Sequence, residues 1–309
     1  MKRVSRREFV TVAGIGAAAA PFVLRAPKLH AAAPTAQEIV DRIKQRVGVA
    51  WKPETVDGFK AGDPSTPVTG IVTTAMATMS VLQEAVKQRA NLVITFEPTY
   101  YSKADSPTPP AGRRGGGPGT PPPEAPADPV FTAKREFIAK NNLVVWRFND
   151  HWRARTPNPL VQGLSASLGL ASSTAADAGQ RFDVHATTLD ALVIDVKKKL
   201  GSRGGMRIVG DPHLRVQRVG LLPGSTPIQD TLKLLPTVDC VIAGEVREWE
   251  SVEYARDLVT AGQPKSLIAI GRIVSEDPGM RVCADWLGTI VPEVKSHWVT
   301  VGDPYWRPL

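Results

Sequence analysis

Cysteine is scarce in this sequence, with only Cys240 and Cys283 among 309 residues. Cys240 lies in the apolar run 238–243, and Cys283 lies beside Trp286 in a predicted helix. These apolar surroundings favour two buried thiols, with a disulfide between them as the alternative. A fold held together by many disulfides is therefore excluded.

An apolar run long enough to cross a bilayer is also missing near the N-terminus. The run 10–24 is rich in alanine and glycine and falls short of the roughly 20 residues that a membrane helix needs. It follows Arg6 and Arg7 and precedes three alanines at 31–33, which is the pattern of a twin-arginine export signal. We expect residues 1–33 to be a signal peptide. The mature protein would then work in the periplasm or outside the cell, with no permanent membrane span.

Clustered basic charge is the third absence, although the formal charge of the chain is +8. Residues 1–33 hold six basic side chains and one acidic side chain, so the remaining chain carries +3. A nucleic-acid-binding face needs lysines and arginines grouped together rather than a modest surplus. We therefore expect no nucleic-acid partner.

The sequence does contain short apolar runs that alternate with helical patterns, which favours an α/β architecture. The remaining length of about 276 residues suffices for one large or two ordinary domains. A capping box of Thr35 and Glu38 marks the start of the first helix. Strands are predicted at 70–74, 91–96, 143–148, 206–209, 216–222, 239–243 and 266–271. Helices are predicted at 35–46, 80–89, 188–200, 226–235, 248–261 and 276–287, and one more begins at Thr132.

One segment, 103–129, interrupts this alternation because proline and glycine dominate it. It buries too little apolar surface to order itself, so we predict a flexible insert. The insert begins shortly after the predicted strand 91–96. It either covers a site there or is a tolerated insertion.

Acidic and polar side chains follow several predicted strands, at the edge where open α/β sheets usually bind ligands. Glu97, Asp150 and Glu276 each come shortly after a strand, and His151 is next to Asp150. Carboxylates that converge with an imidazole suit a divalent cation. Each residue also has an ordinary structural alternative. Asp150 and Glu276 fit helix caps, and His151 fits an interior histidine.

Four segments at or beside these strand ends share a pattern with a known family. They are NLVITFEPTYY at 91–101, RVGLLPGS at 218–225, DCVIAGEVREWE at 239–250 and GRIVSE at 271–276. These segments resemble the Nif3-like family, whose members are described as hexamers with a dinuclear metal centre and are also called type 2 GTP cyclohydrolase I. The resemblance extends from about 39 to 298 without the insert, and the motifs occur in the family's order.

The resemblance implies two similar, interlocked α/β domains over 34–309, with a metal site in the cleft between them and subunits assembled as a ring. It implies a hydrolase that uses zinc, iron or manganese to activate water against a small molecule, which the sequence does not identify. Two roles follow for this chain. Glu245 would be the catalytic acid or base, and the metal ligands would be Glu97, Asp150, His151 and Glu276.

This chain departs from the family pattern where histidine is expected. Typical members have a His-His-Pro motif after the early strand and Gly-His-x-x-Ser-Glu near the end, and here Phe96 and Arg272 occupy histidine positions. Asn149 and Arg153 stand where related motifs place further histidines. Phenylalanine cannot coordinate a metal, and arginine keeps its positive charge. The alternative function is therefore a catalytically lapsed, metal-free exported binding or scaffold protein, in which Arg272 replaces a cation among carboxylates.

Overall fold

A computed structural model describes residues 33–109, 128–170, 180–201 and 205–305. The predicted signal peptide lies outside the described residues apart from Ala33, and so does 110–127, the larger part of the predicted insert. None of the helices in the described part of the chain combines the length and apolar character that a bilayer crossing requires.

The described residues contain strands and helices in alternation along most of the chain. The strands are β1 Gly58–Ala61, β2 Ile71–Thr74, β3 Leu92–Thr95, β4 Val144–Arg147, β5 Arg181–Thr188, β6 Arg207–Val209, β7 Arg215–Ser225, β8 Cys240–Glu245, β9 Ser266–Ala269 and β10 Ser296–Trp298. The α-helices are α1 Ala36–Arg46, α2 Met79–Lys87, α3 Pro129–Lys140, α4 Asp150–Arg153, α5 Pro159–Leu168, α6 Leu189–Leu200, α7 Ile228–Leu234, α8 Glu253–Thr260 and α9 Arg272–Ile290. A 3₁₀ turn at Leu235–Thr237 follows α7, and a π-helical turn at Glu248–Val252 precedes α8.

These strands form two mixed five-stranded sheets, so the predicted α/β class is confirmed. The first sheet has the order β1-β4-β3-β2-β10, with β1 antiparallel and the other four strands parallel. The second has the order β5-β7-β8-β9-β6, with antiparallel strands at both edges of a parallel centre. The chain leaves the first sheet after β4, builds the second, and returns through α9 to add β10 to the first. This return interlocks the two halves of the fold.

Helix α9 is the element that joins the two sheets. It contacts β2 and β10 of the first sheet and β7 and β8 of the second, and α5 packs along it. A Cβ atom on Gly163 of α5 would lie 2.3 Å from the carbonyl oxygen of Pro278 in α9, so glycine permits the two backbones to touch. Met280, Cys283 and Leu287 of α9 belong to the main apolar core of the first sheet.

The central strands agree closely with the sequence prediction, whereas three edge strands escaped it. Strands β1, β5 and β10 each lie at the edge of a sheet and are largely part-exposed or exposed. Such strands have no continuous apolar run, which was the signal used for the others. Both cysteines are buried and unbridged, as predicted.

Among the helix starts that differ from the prediction, those of α3 and α9 bear on the predicted insert and on the site. Helix α3 begins at Pro129, the last residue of the predicted insert, rather than at Thr132, because Asp128 caps the amides of Val130 and Phe131. Helix α9 begins at Arg272 rather than Glu276. The motif 271–276 is therefore the first turn of a long helix, which fixes where Arg272 and Glu276 lie.

Candidate functional site

The candidate site is a cavity at the carboxyl ends of β3 and β4, covered on one side by the first turn of α9. The two strands are parallel neighbours, so the residues that follow them share one edge of the first sheet. The cavity has a volume of about 530 Å³, which lies in the range of small-molecule sites, roughly 300 to 1,000 Å³. Its charged lining residues are Glu97, Lys103, Arg147, Asp150, Arg153 and Arg272.

Arg272 is the centre of an ion-pair cluster that we call the Arg272 corner, formed with Glu97, Glu245 and Glu276. Its Nε and one terminal nitrogen donate to Glu97 Oε1 at 3.1 and 2.7 Å. Its Nε lies 3.5 Å from Glu276 Oε1, and its other terminal nitrogen lies 3.7 Å from Glu245 Oε2. Burial lowers the pKa of Arg272, but the charges of Glu97 and Glu276 outweigh burial and raise it.

Glu276 is the most enclosed acid of this corner, with a fully buried side chain. Its Oε1 also lies 3.5 Å from a terminal nitrogen of Arg153. Burial first, and the negative charge of Glu97 second, raise the pKa of Glu276 well above its usual range. A Cβ atom on Gly224, which has φ +85°, would lie 2.7 Å from Glu276 Oε1. The end of β7 therefore approaches this carboxylate only because it carries glycine.

The neighbouring Ser275 has a structural role in the same turn. Its hydroxyl accepts a hydrogen bond from the Gly224 amide at 2.8 Å and donates to the Arg272 carbonyl at 2.6 Å. A Cβ atom on Gly244 would lie 2.4 Å from that hydroxyl. The ends of β7 and β8 are thus fixed against the start of α9, which positions the Arg272 corner.

His151 lies in a second cluster, the His151 corner, formed with Trp51, Lys52 and Asp57. Its ring stacks on Trp51 with the centroids 3.7 Å apart. Its Nε2 accepts the Lys52 amide at 2.8 Å, so Nδ1 carries the proton and donates to Asp57 Oδ2 at 2.7 Å. Both ring nitrogens are therefore engaged, and only 3% of the residue is exposed.

Asp150 lies between the two corners and lines the cavity. Its Oδ2 accepts the Thr55 hydroxyl at 2.8 Å and the Val56 amide at 3.0 Å. Burial raises the pKa of Asp150, but these two hydrogen bonds, assisted by the charge of Arg147, outweigh burial and lower it. Asp150 is a fixed anion in the wall of the cavity.

The four positions at which the sequence resemblance implied histidine are occupied by Phe96, Asn149, Arg153 and Arg272, and three of these are in contact. The guanidinium of Arg153 lies 5.2 Å from the centre of the Phe96 ring, at cation–π distance. The Asn149 side chain donates to the Phe96 carbonyl at 2.9 Å. Phe96 thus contacts both Asn149 and Arg153, and Arg153 and Arg272 both lie 3.5 Å from Glu276 Oε1.

The donor set does not fit the dinuclear metal centre that the resemblance implies. Glu97 and Glu276 come together, but Arg272 lies against both, while His151 is engaged in the other corner. Glu245 lies at the rim with 57% of its side chain exposed. Within the described ranges, no three side chains of His, Cys, Asp or Glu are placed to hold a metal ion together.

Sequence reasoning missed Asp57 and Arg147. Asp57 accepts the amides of Asp150 and His151 as well as the His151 ring, and so organises α4 from 94 residues away. No local pattern marks such a partner. Arg147 did carry a signal, since it is a charged residue within the predicted apolar strand 143–148 and is the last residue of β4.

Comparison with known proteins identifies the fold. No protein-family model matches the sequence, and no curated protein matches it. A Bacillus cereus protein related to NIF3 has a TM-score of 0.66 at 13% identity, with 90% of this chain and 100% of that chain covered. A hypothetical protein of Staphylococcus aureus, SA1388, has a TM-score of 0.65 at 14% identity, with 90% and 100% covered. The protein ybgI, of unknown function, has a TM-score of 0.63 at 20% identity, with 88% and 100% covered. At these identities the likeness concerns the fold alone, and this chain has the fold of the NIF3-related proteins.

Proposed function

We propose that this chain is a divergent, exported member of the Nif3-like family that binds a small molecule without a metal ion. The ligand-binding region is the cavity at the ends of β3 and β4, and the Arg272 corner takes the place of a cation. This proposal is the lapsed, metal-free alternative among the two functions that the sequence left open.

One observation carries the proposal: Arg272 forms a two-nitrogen contact with Glu97 Oε1 and lies 3.5 Å from Glu276 Oε1. Two buried carboxylates at one point need a positive charge, because an unpaired buried acid is strongly destabilising. A guanidinium supplies that charge permanently. The two acids can therefore remain buried side by side without a metal ion.

The metal-dependent hydrolase implied by the family resemblance has weaker support in this chain. The one imidazole among the proposed metal ligands, His151, accepts a main-chain amide and donates to Asp57. A metal could bind His151 Nε2 only after the contact with the Lys52 amide was lost, whereas the contact of Nδ1 with Asp57 could remain. Glu245, its proposed acid or base, forms a long ion pair with Arg272 at the exposed rim.

Elemental analysis tests the proposal directly. Protein purified without chelator should contain no stoichiometric zinc, iron or manganese. The double variant Phe96→His/Arg272→His restores two imidazoles of the family pattern beside Glu97 and Glu276, and it should gain zinc affinity. The matched control is Arg256→His, which places an imidazole on the exposed face of α8. Stoichiometric metal in the wild-type protein would refute the metal-independent function.

The exported location is part of the same proposal and rests on Arg6 and Arg7 ahead of the apolar run 10–24. Replacement of both arginines by lysine should retain a fused reporter in the cytoplasm. Unchanged export of that variant would contradict this part. The ring assembly implied by the resemblance is likewise a proposal, and the mass of the mature protein in solution tests it.

A further inference from the structure

Arg147, the last residue of β4, is a buried guanidinium that contacts main-chain carbonyls rather than acids. Only 5% of the residue is exposed. Its Nε donates to the Phe96 carbonyl at 3.4 Å, and one terminal nitrogen donates to the Lys103 carbonyl at 3.2 Å. In the part of the chain that the structure describes, no carboxylate lies within ion-pair distance of Arg147. A buried charge without an ion-pair partner destabilises the folded state unless another group neutralises it.

The other charges of the cavity do not supply that neutralisation. Four cationic side chains and two carboxylates line it. Arg272 is matched by the acids of its own corner, and Arg153 lies against Glu276. Asp150 is the remaining acid of the lining; the charge of Arg147 acts on it, but its Oδ2 is held by Thr55 and Val56. The surplus positive charge is therefore at the wall formed by Arg147 and Lys103.

The same wall offers an apolar surface for the body of a ligand. Tyr101 lines the cavity and is 52% exposed. Its backbone has φ +60°, a left-handed conformation that is unusual for a bulky residue and is often kept where a site needs it. Met76 and Pro98 lie in the same lining. A charged head at Arg147 and an apolar body beside Tyr101 would both be accommodated.

We propose that the cavity binds a small organic anion, with a carboxylate or phosphate head on Arg147 and Lys103 and an apolar body against Tyr101. This rests on the metal-independent binding function proposed above and names its ligand class. A guanidinium matches the planar carboxylate and the phosphate equally, through two parallel hydrogen bonds. Arg147 would then be a ligand-binding residue that gains from the ligand the ion-pair partner that the described residues do not give it.

Calorimetric titration of the mature protein with three probes tests the proposal. Benzoate and phenyl phosphate carry the two head groups, and benzamide is the uncharged counterpart. We expect saturable binding of at least one anion, and binding of benzamide weaker by roughly tenfold or more, since a charge-assisted hydrogen bond is lost. The preferred anion identifies the head group. Arg147→Gln should weaken anion binding to a similar degree, whereas the exposed control Arg256→Gln should not.

Unfolding of the ligand-free variants separates a binding role from a structural one. If Arg147 serves the ligand, Arg147→Gln should unfold at the same or a higher temperature than the wild type, because an unneutralised charge has been removed. If that variant fails to fold, Lys103→Gln at the exposed side of the wall should still weaken anion binding. The proposal is overturned if neither anion binds, or if Arg147→Gln or Lys103→Gln binds as the wild type does.

Repeating the titration with EDTA distinguishes failure of this proposal from failure of the proposed function. Anion binding that survives EDTA and weakens in Arg147→Gln supports both. Binding that disappears with EDTA refutes the metal-independent function, and the proposed ligand class is then refuted as well. Absence of binding in protein that also lacks metal refutes the ligand class alone.

Discussion

Arg272 and Arg147 face the same cavity, yet they are held in opposite ways. Arg272 contacts Glu97, Glu245 and Glu276. Arg147 donates to the carbonyls of Phe96 and Lys103. A guanidinium among acids stabilises the fold, because each partner would be costly alone. A guanidinium among carbonyls keeps its net charge available. The difference separates a structural arginine from one suited to a ligand.

The comparison is sharpest at Arg272, where we expect the largest effect on stability. Arg272→Leu leaves Glu97 and Glu276 buried next to each other without their shared cation. Because the arginine side chain is itself 37% exposed, we expect a loss near the lower end for broken buried pairs, about 3 kcal/mol. Urea denaturation at neutral pH measures it. Arg256→Leu removes an exposed pair and should change stability by less than about 0.5 kcal/mol. Equal losses of unfolding free energy in both variants would show that Arg272 contributes no more to stability than an exposed arginine.

Lys134, like Arg147, is a buried cation that contacts a main-chain carbonyl, and its contribution to stability should depend on pH. This buried lysine donates to the Thr99 carbonyl at 2.6 Å. Burial lowers the pKa of Lys134 to about 8, against a partial opposing effect of Asp105. The folded state thus disfavours the charged form, so stability should rise as pH increases from below 8 toward the unfolded-state pKa of 10.5.

Lys134→Met should abolish this pH dependence. Between pH 7 and 9 the wild type should gain about 1 kcal/mol relative to the variant, as followed by denaturation at each pH. Lys140→Met, at the exposed end of α3, should behave as the wild type does. Parallel curves for the wild type and Lys134→Met would show that the charge of Lys134 is not disfavoured.

The smallest effect is expected from Glu276→Gln at mildly acidic pH. The raised pKa of Glu276 means that its stabilising contribution is present below the unfolded-state pKa of 4.5 and is lost as pH rises through the folded-state pKa. The variant should lie within about 1 kcal/mol of the wild type near pH 5, since the amide is isosteric with the protonated acid. It should become relatively more stable at higher pH. Glu253→Gln, on the surface of α8, is the control, and a variant that weakens further as pH rises would contradict the assignment.

Local signals predicted much of the fold. The capping box of Thr35 and Glu38 is present as expected, because both contacts lie within one helical turn. The buried central strands were predicted from continuous apolar runs. Glu97 and Glu276 each follow an apolar strand, but the two strands belong to different sheets, and α9 is what brings both acids to Arg272. Their partner Arg272 was recognised as a substitute for a cation because it stands within the same motif.

The contacts of the His151 corner could not be predicted from the sequence, for a physical reason. Trp51 and Asp57 lie 100 and 94 residues before His151, and only the pairing of β1 with β4 brings them together. Strand β1 is a four-residue, partly exposed edge strand without a clear pattern. The predicted metal ligand His151 could therefore not be distinguished from an interior histidine by spacing alone.

The sequence by itself determined the α/β class, the buried strands and the set of acids and arginines available at the strand ends, because these depend on residue type and short-range periodicity. Tertiary structure alone decided which charge meets which partner. Arg272 reaches three acids because α9 begins four residues before Glu276 and crosses the end of β3. Among the described residues, Arg147 has no acid within ion-pair distance, because its guanidinium at the end of β4 contacts the carbonyls of Phe96 and Lys103. Ion-pair energies depend on distances of a few ångströms and on burial, and the fold sets both.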